Sequence, residues 1–118
     1  MRILLISNSG KPFLEHCKAR IAEFLGPAKT VAFVTAANLH DEGAYYQRAR
    51  EALEGPPPAG AEVEVLHLRW DADPVTTLEK AEALFMGGGN TYALLKRLQE
   101  GGLLEAIRAR VRAGLPYV

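Results

Sequence analysis

Hydrophobic and polar positions divide the chain into short apolar runs separated by amphipathic stretches. Continuous apolar runs of a few residues are typical of parallel strands covered on both faces, and apolar positions three and four residues apart are typical of surface helices. The predicted strands cover residues 3–6, 30–36, 62–68, 84–86 and 115–118. The 62–68 run alternates apolar and polar side chains, which predicts a strand near a sheet edge.

Capping and breaking residues mark the predicted helices between these strands. The first three helices run from Pro12 to the Gly26-Pro27 pair, from about Asp41 to Leu53, and from Pro74 to about Ala81. Tyr92, Leu95 and Leu98 line a fourth helix that stops at Gly101-Gly102, and Leu104, Ile107 and Val111 mark a fifth that Gly114 ends. A Gly-Pro-Pro-Pro-Ala-Gly loop at 55–60 ends the second helix. Strands that alternate with helices predict an α/β fold, a three-layer sandwich around a mostly parallel sheet.

The pattern changes abruptly after the predicted strand 84–86, where Gly87–Gly89 precede Asn90 and Thr91. Glycine tolerates positive φ and leaves backbone N–H groups open, and Asn90 or Thr91 is suited to cap the next helix. The N-terminus of a helix favours negative charge. Because ligands of such sheets lie beyond the carboxyl ends of strands, this turn and the 7–10 turn are predicted to border one crevice.

The glycine turn has three other interpretations. The glycines alone would permit a tight strand-to-helix connection. A dinucleotide motif would follow the first strand and would carry a third glycine where this sequence has Tyr92, and a Walker A loop would end in Gly-Lys-Ser/Thr. We favour a fourth interpretation, an oxyanion hole, in which each backbone N–H stabilises a tetrahedral intermediate by about 3 kcal/mol.

A second group of candidate site residues follows the first predicted strand, namely Ser7, Asn8 and Ser9. Short polar residues at such a point usually form the turn, and no G-x-S-x-G motif surrounds either serine. Their place at the end of a strand favours contact with a substrate over the role of nucleophile.

Composition narrows the class of protein. A formal net charge of zero gives no basis for binding nucleic acid or an anionic membrane surface. No apolar run approaches the roughly 18 residues of a spanning helix. The single Cys17 excludes an internal disulfide and fits a reducing cytoplasm. His16, His40 and His67 lack the spacing of a metal site, so we expect no metal or cofactor.

The glycine turn and its surroundings resemble peptidase E, the α-aspartyl dipeptidases of the serine peptidase class. The most specific motif is Met-Gly-Gly-Gly-Asn-Thr-Tyr-Ala-Leu-Leu-Lys at 86–96. Gly-Gly-Leu-Leu at 101–104, Arg-Val-Arg-Ala-Gly-Leu-Pro-Tyr-Val at 110–118 and Leu-Leu-Ile-Ser-Asn-Ser at 4–9 agree as well. The resemblance extends over essentially the whole chain.

This resemblance implies a cytoplasmic serine enzyme that cleaves dipeptides with an N-terminal aspartate and uses no metal or cofactor. It implies a fold like the class I glutamine amidotransferase domain, which is flavodoxin-like. The N–H groups of Gly88 and Gly89 would then be oxyanion donors, and Asn90 would border the substrate pocket together with Thr91 and residues 7–9. The expected partner is a small peptide substrate, with a homodimer as a possible assembly and neither nucleic acid nor membrane involved.

One departure from the family limits the prediction. In the family the fifth strand continues into a G-x-S-A-G-type nucleophile elbow, whereas this sequence ends at Val118, and none of its histidines matches the catalytic one. We therefore expect residues 1–118 to form a single α/β domain that is incomplete at its carboxyl end and inactive alone. The alternatives are a non-catalytic module that binds a small anion and a cyanophycinase-like hydrolase.

Overall fold

A computed structural model describes residues 1–57 and 59–118 of the chain. The helices are α1 Lys18–Leu25, α2 Glu42–Leu53, α3 Pro74–Lys80, α4 Thr91–Glu100 and α5 Leu103–Arg112, and the strands are β1 Thr30–Val34, β2 Glu64–Leu68 and β3 Ala83–Met86. The strands form a parallel sheet in the order β2-β1-β3. The predicted α/β fold is confirmed, and β2 lies at an edge as expected.

The central strand β1 separates two apolar layers. Its side chains alternate between the two faces of the sheet, as strand geometry requires. Val31 and Phe33 pack with α1 and α2 through Ile21, Leu25, Tyr45, Ala49 and Leu53. Ala32 and Val34 pack with α3, α4 and α5 through Leu78, Leu98, Leu103 and Ile107. Helices on both faces of the sheet make the three-layer arrangement that the sequence predicts.

The two terminal segments form isolated bridges where the sequence predicts full strands at 3–6 and 115–118. Ile3 and Leu84 each pair in parallel with Tyr117, so both segments extend the sheet beyond β3. The prediction that the first run is covered on both faces is wrong, because Ile3 is 46% exposed and Leu5 is 81% exposed. A continuous apolar run indicates burial in general and does not say that both faces find a partner.

The first helix is shorter than predicted and begins at Lys18 instead of Pro12. Leu14 has a φ of 61°, a left-handed conformation that a right-handed helix cannot include. Its amide donates to Ser9 O (2.7 Å), and its own carbonyl accepts from Cys17 N (3.0 Å). These turns bury the Leu14 side chain completely, which satisfies the apolar pattern without a helix.

Other predicted boundaries agree with the structure. The Asp41 carboxylate accepts from Ala44 N (2.9 Å) and caps α2, and Pro74 occupies the first turn of α3. Helix α2 ends at Leu53, ahead of the predicted 55–60 loop. Pro58 of that loop lies outside the described residues. In the described part of the chain, no helix is long and apolar enough to cross a membrane.

Candidate active site

An open cavity of about 510 Å³ lies at the carboxyl ends of the strands. The turn 7–10 forms one wall, and Met86 and Gly88 form the opposite wall, with Tyr45 and Val118 between them. The structure thus brings together the two turns that the sequence predicts to border one crevice. Their catalytic and binding roles stay predictions.

Three of the four N–H groups from Gly87 to Asn90 donate hydrogen bonds within the protein. These bonds join Gly87 N to Val34 O (3.0 Å), Gly88 N to Tyr45 Oη (2.9 Å), and Asn90 N to Ala37 O (2.8 Å). Within residues 1–57 and 59–118, the Gly89 N–H has no acceptor. Gly89 is therefore the member of the turn whose N–H is available to a ligand.

Packing explains why two of the three glycines are glycines. Gly89 has a φ of 142°, and a side chain there would overlap the Ala37 carbonyl oxygen. A Cβ at Gly87 would lie 2.7 Å from Val34 O, closer than real Cβ contacts. A Cβ at Gly88 would meet open space. The tight-connection interpretation therefore accounts for Gly87 and Gly89, while Gly88 is not required by sterics.

Asn90 begins α4 as its cap. Its side-chain oxygen accepts from Ala93 N (2.9 Å), so the structure selects Asn90 over Thr91 for this task. Asn90 and Gly89 are not among the residues that line the 510 Å³ cavity; with residues 37–40 they line a second cavity of about 370 Å³. Asn38 lines both cavities, so the two adjoin. Thr91 is exposed and lines neither.

The turn 7–10 is held mainly by its own groups. The Asn8 side chain accepts from Gly10 N (2.7 Å), an Asx turn that orients this loop toward the cavity. Ser9 is half-buried and Ser7 is exposed. In the described part of the chain, neither serine hydroxyl hydrogen-bonds a histidine that could activate it as a nucleophile. Contact with a substrate stays the predicted role of these serines.

Three hydrogen-bonded polar side chains next to the carboxyl end of β1 were not predicted from the sequence. Thr35 is fully buried, and its Oγ1 lies 2.8 Å from Glu42 Oε1 and 2.8 Å from His67 Nε2. Because a carboxylate only accepts, the Thr35 hydroxyl donates to Glu42 and accepts from His67 Nε2–H. Burial, with a smaller contribution from the Arg69 charge, lowers the pKa of His67. The signal available in sequence was Thr35, a polar residue near the end of the apolar 30–36 run.

Arg97 of α4 fastens the loop that follows β1. Its guanidinium donates to Ala36 O (3.0 Å) and Asn38 O (3.2 Å), and lies 3.9 Å from the Glu42 carboxylate. The same group stacks 5.1 Å above the Trp70 ring. The carbonyl of Ala37 in this loop also accepts a hydrogen bond from Asn90 N. The loop is therefore held both by the Arg97 side chain and by the end of the glycine turn.

The fold and the site define a parallel α/β protein whose open cavities lie beside a glycine turn, and among the described residues the Gly89 N–H of this turn has no acceptor. The sequence profile of Peptidase family S51 matches residues 3–118. The chain belongs to this peptidase family, and the resemblance to peptidase E is confirmed.

Curated relatives agree with this assignment. The chain is 40% identical to Peptidase E of Streptomyces coelicolor over 100% of this chain and 47% of that protein. It is 42% identical to the probable alpha-aspartyl dipeptidase of Drosophila melanogaster over 98% and 48%, respectively. Against Peptidase E of Salmonella typhimurium the identity is 39%, over 100% and 51%. The chain thus spans about half the length of the curated relatives it matches.

Proposed function

We propose that the protein is a serine-type dipeptidase that hydrolyses dipeptides with an N-terminal aspartate. The observation that carries the proposal is the Gly89 N–H, which lacks an acceptor among the described residues and lies at the carboxyl end of β3 and the start of α4. An N–H group in this position suits the negative oxygen of a tetrahedral intermediate. Membership of Peptidase family S51 supports acyl transfer as the reaction.

In this proposal, residues 1–118 supply the oxyanion donor and part of the substrate pocket, while the nucleophile and its partners come from outside them. A serine activated by histidine would attack the peptide carbonyl and release the amine, and water would then release the acyl group. Position supports this division of roles. Met86 N donates to Val118 O (2.8 Å), and Val118 lines the cavity, so a residue that follows Val118 would lie beside the glycine turn.

The substrate contacts we propose are neutral hydrogen bonds. No lysine or arginine of the described residues lines either cavity. Ser7, Asn8, Ser9 and Asn90, which line these cavities, would therefore contact the peptide through hydroxyl, amide and backbone groups, whereas Thr91 lines neither. A cytoplasmic location fits the single Cys17, and a homodimer stays a prediction.

The test is a kinetic comparison on the protein expressed from its natural gene. Asp-Leu and Asn-Leu differ in one charge at nearly constant shape. We expect hydrolysis of Asp-Leu at a kcat/KM at least about 100-fold above that of Asn-Leu, because hydrogen-bond donors placed for a carboxylate oxygen would be left unpaired by the NH2 group of asparagine. Absence of hydrolysis of every Asp-Xaa dipeptide by the folded protein would overturn the proposal. Binding without turnover would then favour the anion-binding module, and cleavage of long aspartate polymers alone would favour the cyanophycinase-like enzyme.

A further inference from the structure

Tyr45 lines the cavity, and its hydroxyl contacts the glycine turn. Tyr45 and Gly88 both line the 510 Å³ cavity, and the Gly88 N–H donates to Tyr45 Oη at 2.9 Å. The only N–H of Gly88 is therefore hydrogen-bonded to the phenol oxygen. Because Tyr45 accepts the Gly88 N–H, this N–H does not point to a ligand as the oxyanion-hole prediction requires.

Packing holds the Tyr45 ring in one orientation. The ring lies edge-on to Phe33 at 5.0 Å between centroids and edge-on to Phe13 at 5.8 Å. Gly87 approaches so closely that a Cβ there would lie 2.9 Å from Tyr45 Oη. Only 7% of Tyr45 is exposed. A side chain held on these sides places its hydroxyl without the entropy cost of ordering it for each ligand.

The Tyr45 hydroxyl has an unused proton. A phenol donates one hydrogen bond and also accepts, and its acceptor capacity is engaged by Gly88 N. In residues 1–57 and 59–118, no group accepts the proton of this hydroxyl. Burial raises the pKa of Tyr45, so the group stays neutral and keeps that proton at physiological pH.

We infer that Tyr45 is a ligand-contacting residue whose hydroxyl donates a hydrogen bond to a carbonyl or carboxylate oxygen in the cavity, and that Gly88 acts through it. The N–H of Gly88 polarises the phenol and strengthens its donation, since linked hydrogen bonds reinforce one another. With the N–H of Gly89, which lines the adjoining cavity of about 370 Å³, the two cavities together offer one backbone donor and one side-chain donor. This inference rests on the proposed dipeptidase function and names a further group in that site.

Tyr46 offers a matched control. It is the next residue of α2, it is also partly buried, and its hydroxyl donates to Val65 O at 2.8 Å. Tyr46 does not line the 510 Å³ cavity. Tyr45→Phe and Tyr46→Phe therefore remove the same atom and one hydrogen bond each, and only Tyr45 lines the cavity in which we place the ligand.

The experiment measures kcat, KM and Tm of the wild type and both variants, made from the natural gene, with Asp-Leu as the probe. We expect both variants to lose a similar few degrees of Tm. Tyr45→Phe should also lower kcat by about 100- to 1,000-fold, the range seen when a side-chain donor to a developing oxyanion is removed, with KM changed less than about threefold. Tyr46→Phe should change kcat by less than about twofold, within the range of a structural change away from the site.

Two failures are distinguishable. If the wild type hydrolyses Asp-Leu and Tyr45→Phe behaves like Tyr46→Phe in kcat and KM, the inference about Tyr45 is wrong and the dipeptidase proposal stands. If the folded wild type hydrolyses no Asp-Xaa dipeptide, the proposed function fails and takes this inference with it.

Discussion

The two turns that border the cavity are held in different ways. The glycine turn is tied by hydrogen bonds to β1, to the loop after β1 and to α2, and two of its glycines have no room for a side chain. The turn 7–10 depends on its own Asn8–Gly10 hydrogen bond (2.7 Å) and on one bond from Leu14 N to Ser9 O (2.7 Å). The segment leading into it leaves Leu5 81% exposed.

This difference fits a division of roles. A donor to a developing oxyanion gains from being fixed before the reaction, because no reorganisation is then needed in the transition state. A loop that contacts the rest of a substrate tolerates local adjustment. We therefore expect changes at the glycine turn to affect folding and kcat together, and changes at 7–10 to affect KM with little effect on stability.

The largest expected effect comes from Gly89→Ala. The φ of 142° and the overlap with Ala37 O leave no place for a methyl group. We expect a loss of about 3 kcal/mol in the free energy of unfolding, measured by urea denaturation, and a loss of hydrolysis of about 100-fold or more. Gly88→Ala is the control, since its Cβ meets open space, and it should cost about 1 kcal/mol or less. Equal stability of the two variants would contradict this account of the turn.

The next effect is expected for Arg97→Met. The substitution keeps an apolar stem and removes the hydrogen bonds to Ala36 O and Asn38 O. Hydrogen bonds from charged groups stabilise by about 1.5 to 3 kcal/mol, so we expect a loss of about 2 kcal/mol by urea denaturation. The control is Arg108→Met, which removes an exposed ion pair to Glu105 (3.0 Å) and should cost about 0.5 kcal/mol. If both variants are equally stable, Arg97 does not anchor the loop.

A smaller effect should appear in the pH dependence of stability. Because burial lowers the pKa of His67, the unfolded chain binds a proton at higher pH than the folded protein does. Stability is therefore lost as the pH falls below the ordinary value of 6.5. His67→Gln retains an N–H for Thr35 and does not titrate, so its Tm should fall less than the wild-type Tm between pH 7 and pH 5.

The control for this titration is His40→Gln, at an exposed histidine of the 37–40 loop. It should follow the wild-type pH profile. If His67→Gln follows that profile too, protonation of His67 does not contribute to the pH dependence of the protein's stability.

The smallest effect on stability is expected at the other wall, for Asn8→Ala. Loss of the exposed hydrogen bond to Gly10 N should cost about 0.5 to 1 kcal/mol. If residues 7–9 contact the substrate, KM for Asp-Leu should rise about three- to tenfold with kcat nearly unchanged, because uniform binding is removed. A fall in kcat at constant KM would instead indicate that the 7–10 turn stabilises the transition state, the role proposed for the glycine turn.

Sequence patterns predict the parts of this protein that depend on neighbours in the chain. The capping roles of Asp41 and Asn90 are local, and so is the change from an apolar run to a glycine turn. The alternation of strands and helices then restricts the topology to a parallel sheet. That is why the crevice was predictable from the order of elements.

Contacts between distant segments were not predictable in the same way. The partner of Tyr45 lies 43 positions away in sequence, and the apolar face of α2 explains the tyrosine without its hydroxyl. Arg97 and Arg110 look like surface charges by pattern. Arg110 nevertheless donates to Leu78 O (2.9 Å) and Ala81 O (3.0 Å) at the end of α3, because a long guanidinium stem reaches carbonyls that a helical pattern cannot reveal.

The most direct test of the central claim, that the glycine turn binds an anionic oxygen, is an NMR titration of the protein made from its natural gene with aspartate. Gly89 N–H should gain an acceptor, so its proton should move downfield with saturation, and the Asn8 and Ser9 amides should shift with the same affinity. Gly102, a glycine with positive φ away from both cavities, should not move. Saturable binding that leaves the Gly89 amide unchanged would contradict the account.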